Sequence, residues 1–98
     1  MPRRARIDHA GAWHHVLDRS ARRTSIFRSD EDCRFFRDCL DETWQSMGLE
    51  VHAYSLMPSH YHLLVRSPRG NLSRCMRQVN GLFTRRLNQT HGWVGPVF

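Results

Sequence analysis

Residues 49–66 read Leu-Glu-Val-His-Ala-Tyr-Ser-Leu-Met-Pro-Ser-His-Tyr-His-Leu-Leu-Val-Arg. Two runs rich in Val, Tyr and Leu, 49–57 and 60–66, flank a Pro58-Ser59 link that leaves room only for a tight reversal. The pattern predicts two strands joined as an antiparallel hairpin. Side chains alternate along a strand, so residues two apart point the same way, about 6.5–7 Å from each other. His60 and His62 therefore share one face, and Tyr61 takes the other. Two imidazoles so placed can share a divalent metal ion. They do not complete its coordination sphere, so a third protein ligand or substrate oxygens must be found. Many histidine pairs on strands hold no metal at all, and spacing alone leaves that reading open.

The segments around this hairpin extend the pattern. Trp13 to Leu17, aromatic and β-branched behind Gly11, predicts a strand, and the polar, basic stretch 18–28 a loop. Ser29 is placed to cap a helix whose first turn carries Asp30, Glu31 and Asp32, where the helix dipole favours negative charge. Ser29 and Asp32 have the spacing of a capping box. Phe35, Phe36, Cys39, Leu40, Thr43 and Met47 follow at helical intervals, and Gly48 is a natural stop. After a loop over 67–70, Asn71 can cap a second helix running to about Asn88. Its apolar stripe is Leu72, Met76, Val79, Phe83 and Leu87, and His91-Gly92 ends it. The predicted order is β-α-β-β-α, an α+β, ferredoxin-like antiparallel sheet with helices on one face. Residues 93–98 form an apolar tail. The strand that would complete such a sheet is expected to be missing, exchanged, or supplied by another chain, which makes a homodimer one expectation.

Ninety-eight residues, 40% hydrophobic and 24% charged, fit one globular domain spanning 1–98, with residues 1–10 as a basic arm. No apolar run is long enough to span a membrane, and Met1 to Arg6 has no hydrophobic stretch behind it to act as a secretory signal. Cys33, Cys39 and Cys75 are odd in number and form no C-x-x-C pair, so they read as reduced, buried thiols and imply a cytosolic protein. All 15 basic residues are arginine, against 9 acids, for a net charge of +6. The charge is blocked: residues 1–28 carry +5, 29–50 carry −5, and 51–98 carry +6 with no acid. If the two basic blocks meet, they form one anion-attracting face; otherwise they are ordinary solvated surface.

The run 52–65, His-Ala-Tyr-Ser-Leu-Met-Pro-Ser-His-Tyr-His-Leu-Leu-Val, closely resembles the HUH segment of single-tyrosine transposases, in particular the subgroup associated with repetitive extragenic palindromes (REPs). Trp13-His14-His15-Val16-Leu17-Asp18-Arg19 is similar to that group's first strand, and Ile26-Phe27-Arg28-Ser29-Asp30-Glu31-Asp32 to its entry into the first helix. Asn71 to Gly81 resembles the start of its tyrosine-bearing helix, and 88–98 continues in the same style. Ser59 departs from the usual asparagine.

The resemblance implies a DNA transposase-type domain in a bacterial, nucleoid-associated setting. Such enzymes bind single-stranded or hairpin DNA at palindromic repeats, then cleave and rejoin it through a 5′-phosphotyrosine. His60 and His62 would hold Mg²⁺ or Mn²⁺, which polarises the scissile phosphate. It further implies that the nucleophile position is Phe83, where the ring lacks its hydroxyl and strand cleavage is expected to be lost. Asn88, one residue past the next turn, is the candidate third ligand, with Gln78 and Asn80 behind it. His15 and His52 are candidates for supporting the pair from neighbouring strands. Arg3, Arg4, Arg6, Arg66, Arg69, Arg74, Arg77, Arg85 and Arg86 are the candidate DNA contacts. The alternatives are a domesticated DNA-binding module that no longer cuts, and a truncated transposase fragment.

Overall fold

Ser29 lies in extended backbone and its hydroxyl accepts from the Asp32 N–H, so helix α1 (Asp30–Met47) begins at the cap its sequence provides. It closes at Gly48, whose left-handed φ of 78° lets its N–H reach the Trp44 carbonyl. A side chain at Gly48 would meet the Arg69 guanidinium, which packs over this corner. The computed structural model describes residues 8–98, and the basic arm's Arg3, Arg4 and Arg6 lie outside them. The other elements are β1 (Ala12–Arg19), β2 (Glu50–Met57), β3 (His60–Ser67) and α2 (Leu72–His91). The strand order is β1-β3-β2, with β3 central and both pairings antiparallel. This is the expected α+β arrangement.

Strand β1 runs two residues beyond its apolar stretch, because Asp18 and Arg19 still pair with Tyr61 and His60. The tail 93–98 adds no strand. It folds back over the end of the core, where the Val97 carbonyl accepts from the Ala21 N–H at 2.7 Å and the Phe98 ring sits 5.7 Å from Tyr61 and 6.2 Å from Phe83. The sheet among the described residues therefore has three strands.

Parity along β3 decides where everything else lies. Tyr61, Leu63, Val65 and Ser67 are buried, whereas His60, His62, Leu64 and Arg66 are partly or well exposed. Both helices lie over the buried set, and the alternate set projects from an uncovered face. Between sheet and helices sits an aromatic cluster: Phe36 lies 4.7 Å from Tyr61 and 5.1 Å from Phe83, and Phe27 is 5.3 Å from each of Phe36 and Phe83. Edge-to-face and offset contacts of this kind stabilise beyond their buried area.

Several polar groups inside tie the elements together. The Tyr61 hydroxyl donates to Asn80 Oδ1 at 2.7 Å, and Asn80 Nδ2 donates to Asp18 Oδ2 at 2.9 Å, tying α2 to two strands. Buried Asp32 accepts from the Arg28 N–H and from His91 Nε2, joining the start of α1 to the end of α2.

Cys39 and Cys75 are buried as expected, whereas Cys33 is not. Cys39 is fully enclosed, and burial pushes its pKa up to about 11. Burial also raises Cys33, which lies partly exposed on the same helix. Since the thiolate is the reactive form, a thiol reagent applied to folded protein should modify Cys33 first. Cys39 should react only on unfolding. Peptide mapping of the labelled sites checks this, and rapid native labelling of Cys39 would contradict the packing.

Candidate functional site

The open face of the sheet carries the chemistry. The rings of His60 and His62 are 5.2 Å apart and nearly perpendicular. His15, on β1, lies beside them: its ring stacks on His62 at 5.2 Å, and His15 Nε2 is 3.0 Å from His62 Nδ1. Partial desolvation, with His15, His60 and Arg19 nearby, holds the His62 pKa below the ordinary imidazole value. A neutral ring keeps a lone pair to offer. If Nε2 of His62 is to ligate, Nδ1 must carry the proton and donate it to His15 Nε2, which makes His15 the group that fixes the tautomer. Nδ1 of His60 is enclosed with no hydrogen-bond partner.

His52, the other histidine expected to support the pair, lies elsewhere. A β-bulge between Val51 and Ala53 turns it toward Trp13, its ring 4.5 Å from the indole, and its Nε2 donates to Glu50 at 3.0 Å. Glu50 also accepts from Arg66 at 3.2 Å. These two donors hold the Glu50 carboxyl below the usual carboxylate range, the His52 hydrogen bond most strongly.

The remaining candidates are not brought to the histidines. A nucleophile at position 83 would need the pair to face its helix, but the pair lies on the opposite side of the sheet. Phe83 is 0% exposed and packed among Phe27, Phe36 and Phe98. Strand alternation also shows which side the pair takes: Tyr61, Leu63 and Val65 form the apolar parity of β3, so His60 and His62 must point away from the core. That signal was present in the sequence.

The three amides are engaged in other contacts. Asn80 is held by Tyr61 and Asp18, and Gln78 donates to Thr43 and Ser46 between the helices. Asn88 Nδ2 donates to the Gly95 carbonyl at 3.0 Å while its Oδ1 is buried without a hydrogen-bond partner, and the residue lines a cavity of about 320 Å³ with Ala21, Arg22, Trp93 and Pro96, on the helix side of the sheet. Among the described residues, no group of three or more His, Cys, Asp or Glu side chains is arranged to hold a metal ion.

The arginines divide between two sides. Arg66 is on the open face. Arg74, Arg77 and Arg85 are exposed on the outer surface of α2, while Arg86 reaches Asp38 at 3.5 Å and lies over the Phe35 ring. Of the first basic block, Arg19 shares the open face with Arg66 of the second, while the arginines of α2 lie on the helix side. No helix among the described residues is long and apolar enough to cross a membrane.

Comparison with solved structures agrees with this fold. A REP-associated tyrosine transposase bound to a REP hairpin superposes with a TM-score of 0.74 at 17% identity, covering 95% of this chain and 55% of that one. A protein from Deinococcus radiodurans assigned as a transposase superposes with a TM-score of 0.68 at 22% identity, covering 93% of this chain and 70% of that one. The chain thus spans little more than half the length of the first of these relatives. No curated protein sequence matches it. The family model described as "Transposase IS200 like" matches residues 9–96, nearly the whole described chain, and the protein belongs to that family.

Proposed function

We propose that this chain is a transposase-type DNA-binding domain that takes single-stranded or hairpin DNA on the open face of its sheet. His60 and His62 are the proposed metal ligands and His15 the residue that orients His62. The observation that carries the reading is this solvent-facing histidine group in a chain matched by the family model over residues 9–96. The hairpin-bound relative of the same fold supports the choice of partner.

The donor set suits part of a divalent site. Two imidazoles would supply nitrogen, and the unpartnered Nδ1 of His60 is a group that a ligand would satisfy. The one carboxylate known on this face, Glu50, is tied to Arg66 and His52. Water and phosphate oxygens of the DNA would have to complete the set, and hard cations such as Mg²⁺ or Mn²⁺ favour such oxygens. When bound, the ion would polarise the scissile phosphate. His60 and His62 would hold it, with His15 orienting the His62 ring.

Binding without cutting is favoured for this chain acting alone. Its two tyrosines are Tyr61, fully buried, and Tyr54, which pairs with Leu63 on the helix side of the sheet. Neither lies on the face with the histidines. Phe83 is proposed as a core residue rather than the seat of a lost nucleophile.

A fluorescently labelled hairpin with a single-stranded flank tests the reading. The protein should bind it in preference to blunt duplex, with affinity falling steeply as salt rises. Equal affinity for both, or no binding at low salt, would overturn it.

A further inference from the structure

We propose that Trp13, braced by His52, is a stacking seat for an unpaired nucleobase of a single strand crossing the open face. The inference rests on the DNA reading above and extends it to a defined subsite.

Trp13 is 55% exposed although it sits within a regular strand. Leu17, Met57 and Leu64 are also exposed on this face, so Trp13 belongs to a group of uncovered apolar side chains of the kind that marks an interaction site. Its position is also fixed. His52 lies against the indole at 4.5 Å; His52 is held by Glu50, and Glu50 by Arg66, the register partner of Trp13 on β3. The bulge at His52 supplies this brace, and such bulges commonly re-aim a side chain beside a site. A ring held in place loses little freedom when a base settles on it.

The surroundings select a nucleobase over other flat ligands. The open face carries Arg19 and Arg66 against one carboxylate, Glu50, which Arg66 offsets, so the strip keeps a net positive charge that favours a polyanion. Trp13 is two residues from His15, which touches His62. Arg66, across from Trp13, is four residues from His62 along β3, about 13 Å at strand rise. A single strand whose phosphate meets the histidine pair would carry a neighbouring base to the indole. Alternating cationic and aromatic groups are what single-strand readers use.

The test compares wild type with Trp13→Leu, which keeps apolar bulk without a ring, and Trp13→Phe, which keeps a smaller ring. The probes are single-stranded oligonucleotides with one abasic site placed at successive positions. Trp13→Leu should bind the intact oligonucleotide roughly ten- to a hundredfold more weakly. Trp13→Phe should recover most of that loss, and neither should change the salt slope. One abasic position should weaken wild type to a similar degree and have no further effect in Trp13→Leu.

Equal binding by wild type and Trp13→Leu overturns the stacking seat and leaves the DNA reading intact. Absence of single-strand binding by wild type overturns both. Loss of monomer at rising protein concentration in wild type but not in Trp13→Leu would assign the ring to a second copy of the chain, and also overturns the proposal.

Discussion

Phe83→Tyr is expected to give no covalent adduct with a labelled hairpin oligonucleotide in Mn²⁺, and to yield a less stable protein. The added hydroxyl would enter a closed cluster with the rings of Phe27, Phe36 and Phe98 as neighbours. A buried hydroxyl without a partner costs about 1–3 kcal/mol. The sheet itself separates residue 83 from His60 and His62, so no side-chain rotation brings the new oxygen to a phosphate held there. Phe83→Ala should cost more, about 3–5 kcal/mol, because it empties the centre of the core. Urea unfolding measures both. An adduct at residue 83, or an alanine variant of undiminished stability, would require a different packing of α2.

The second large effect is on metal binding. His60→Ala and His62→Ala should each weaken Mn²⁺ binding at least tenfold, on the order of losing one ligand of a sparse set, and the double variant should abolish it. His15→Ala should cost roughly 10- to 100-fold by releasing the His62 ring. All three side chains point from the uncovered face, so thermal midpoints should move little. Calorimetric titration with Mn²⁺ gives the affinities. If the double variant binds Mn²⁺ as wild type does, the ion resides elsewhere.

Much of this architecture was legible locally. The cap at Ser29, the stop at Gly48 and the Pro58-Ser59 reversal mark boundaries because each depends on nearest neighbours. The strand order was not, since pairing β1 with β3 joins residues far apart in sequence. The tail was harder still: an apolar end reads equally as a strand or as a plug, and only the seat beside Ala21, Tyr61 and Phe83 distinguishes them. His52 was misplaced for a related reason. Regular alternation cannot anticipate a bulge, which adds a residue and resets the count. In the site itself, the shared face of the histidines followed from their spacing, whereas the side of the sheet followed from residues between and beyond them. The aromatic on α2 was assigned by likeness to a motif, although its own stripe of Leu72, Met76, Val79 and Leu87 marked it as interior.

The central strand has a consequence for how such a domain can change. Every second residue of β3 is committed to the interior, and the alternate ones carry the chemistry. The two sets share a backbone but touch different neighbours. Chemistry on one side can therefore be rewritten, lost or regained while the scaffold persists, much as a printed page can be altered without disturbing the text on its reverse.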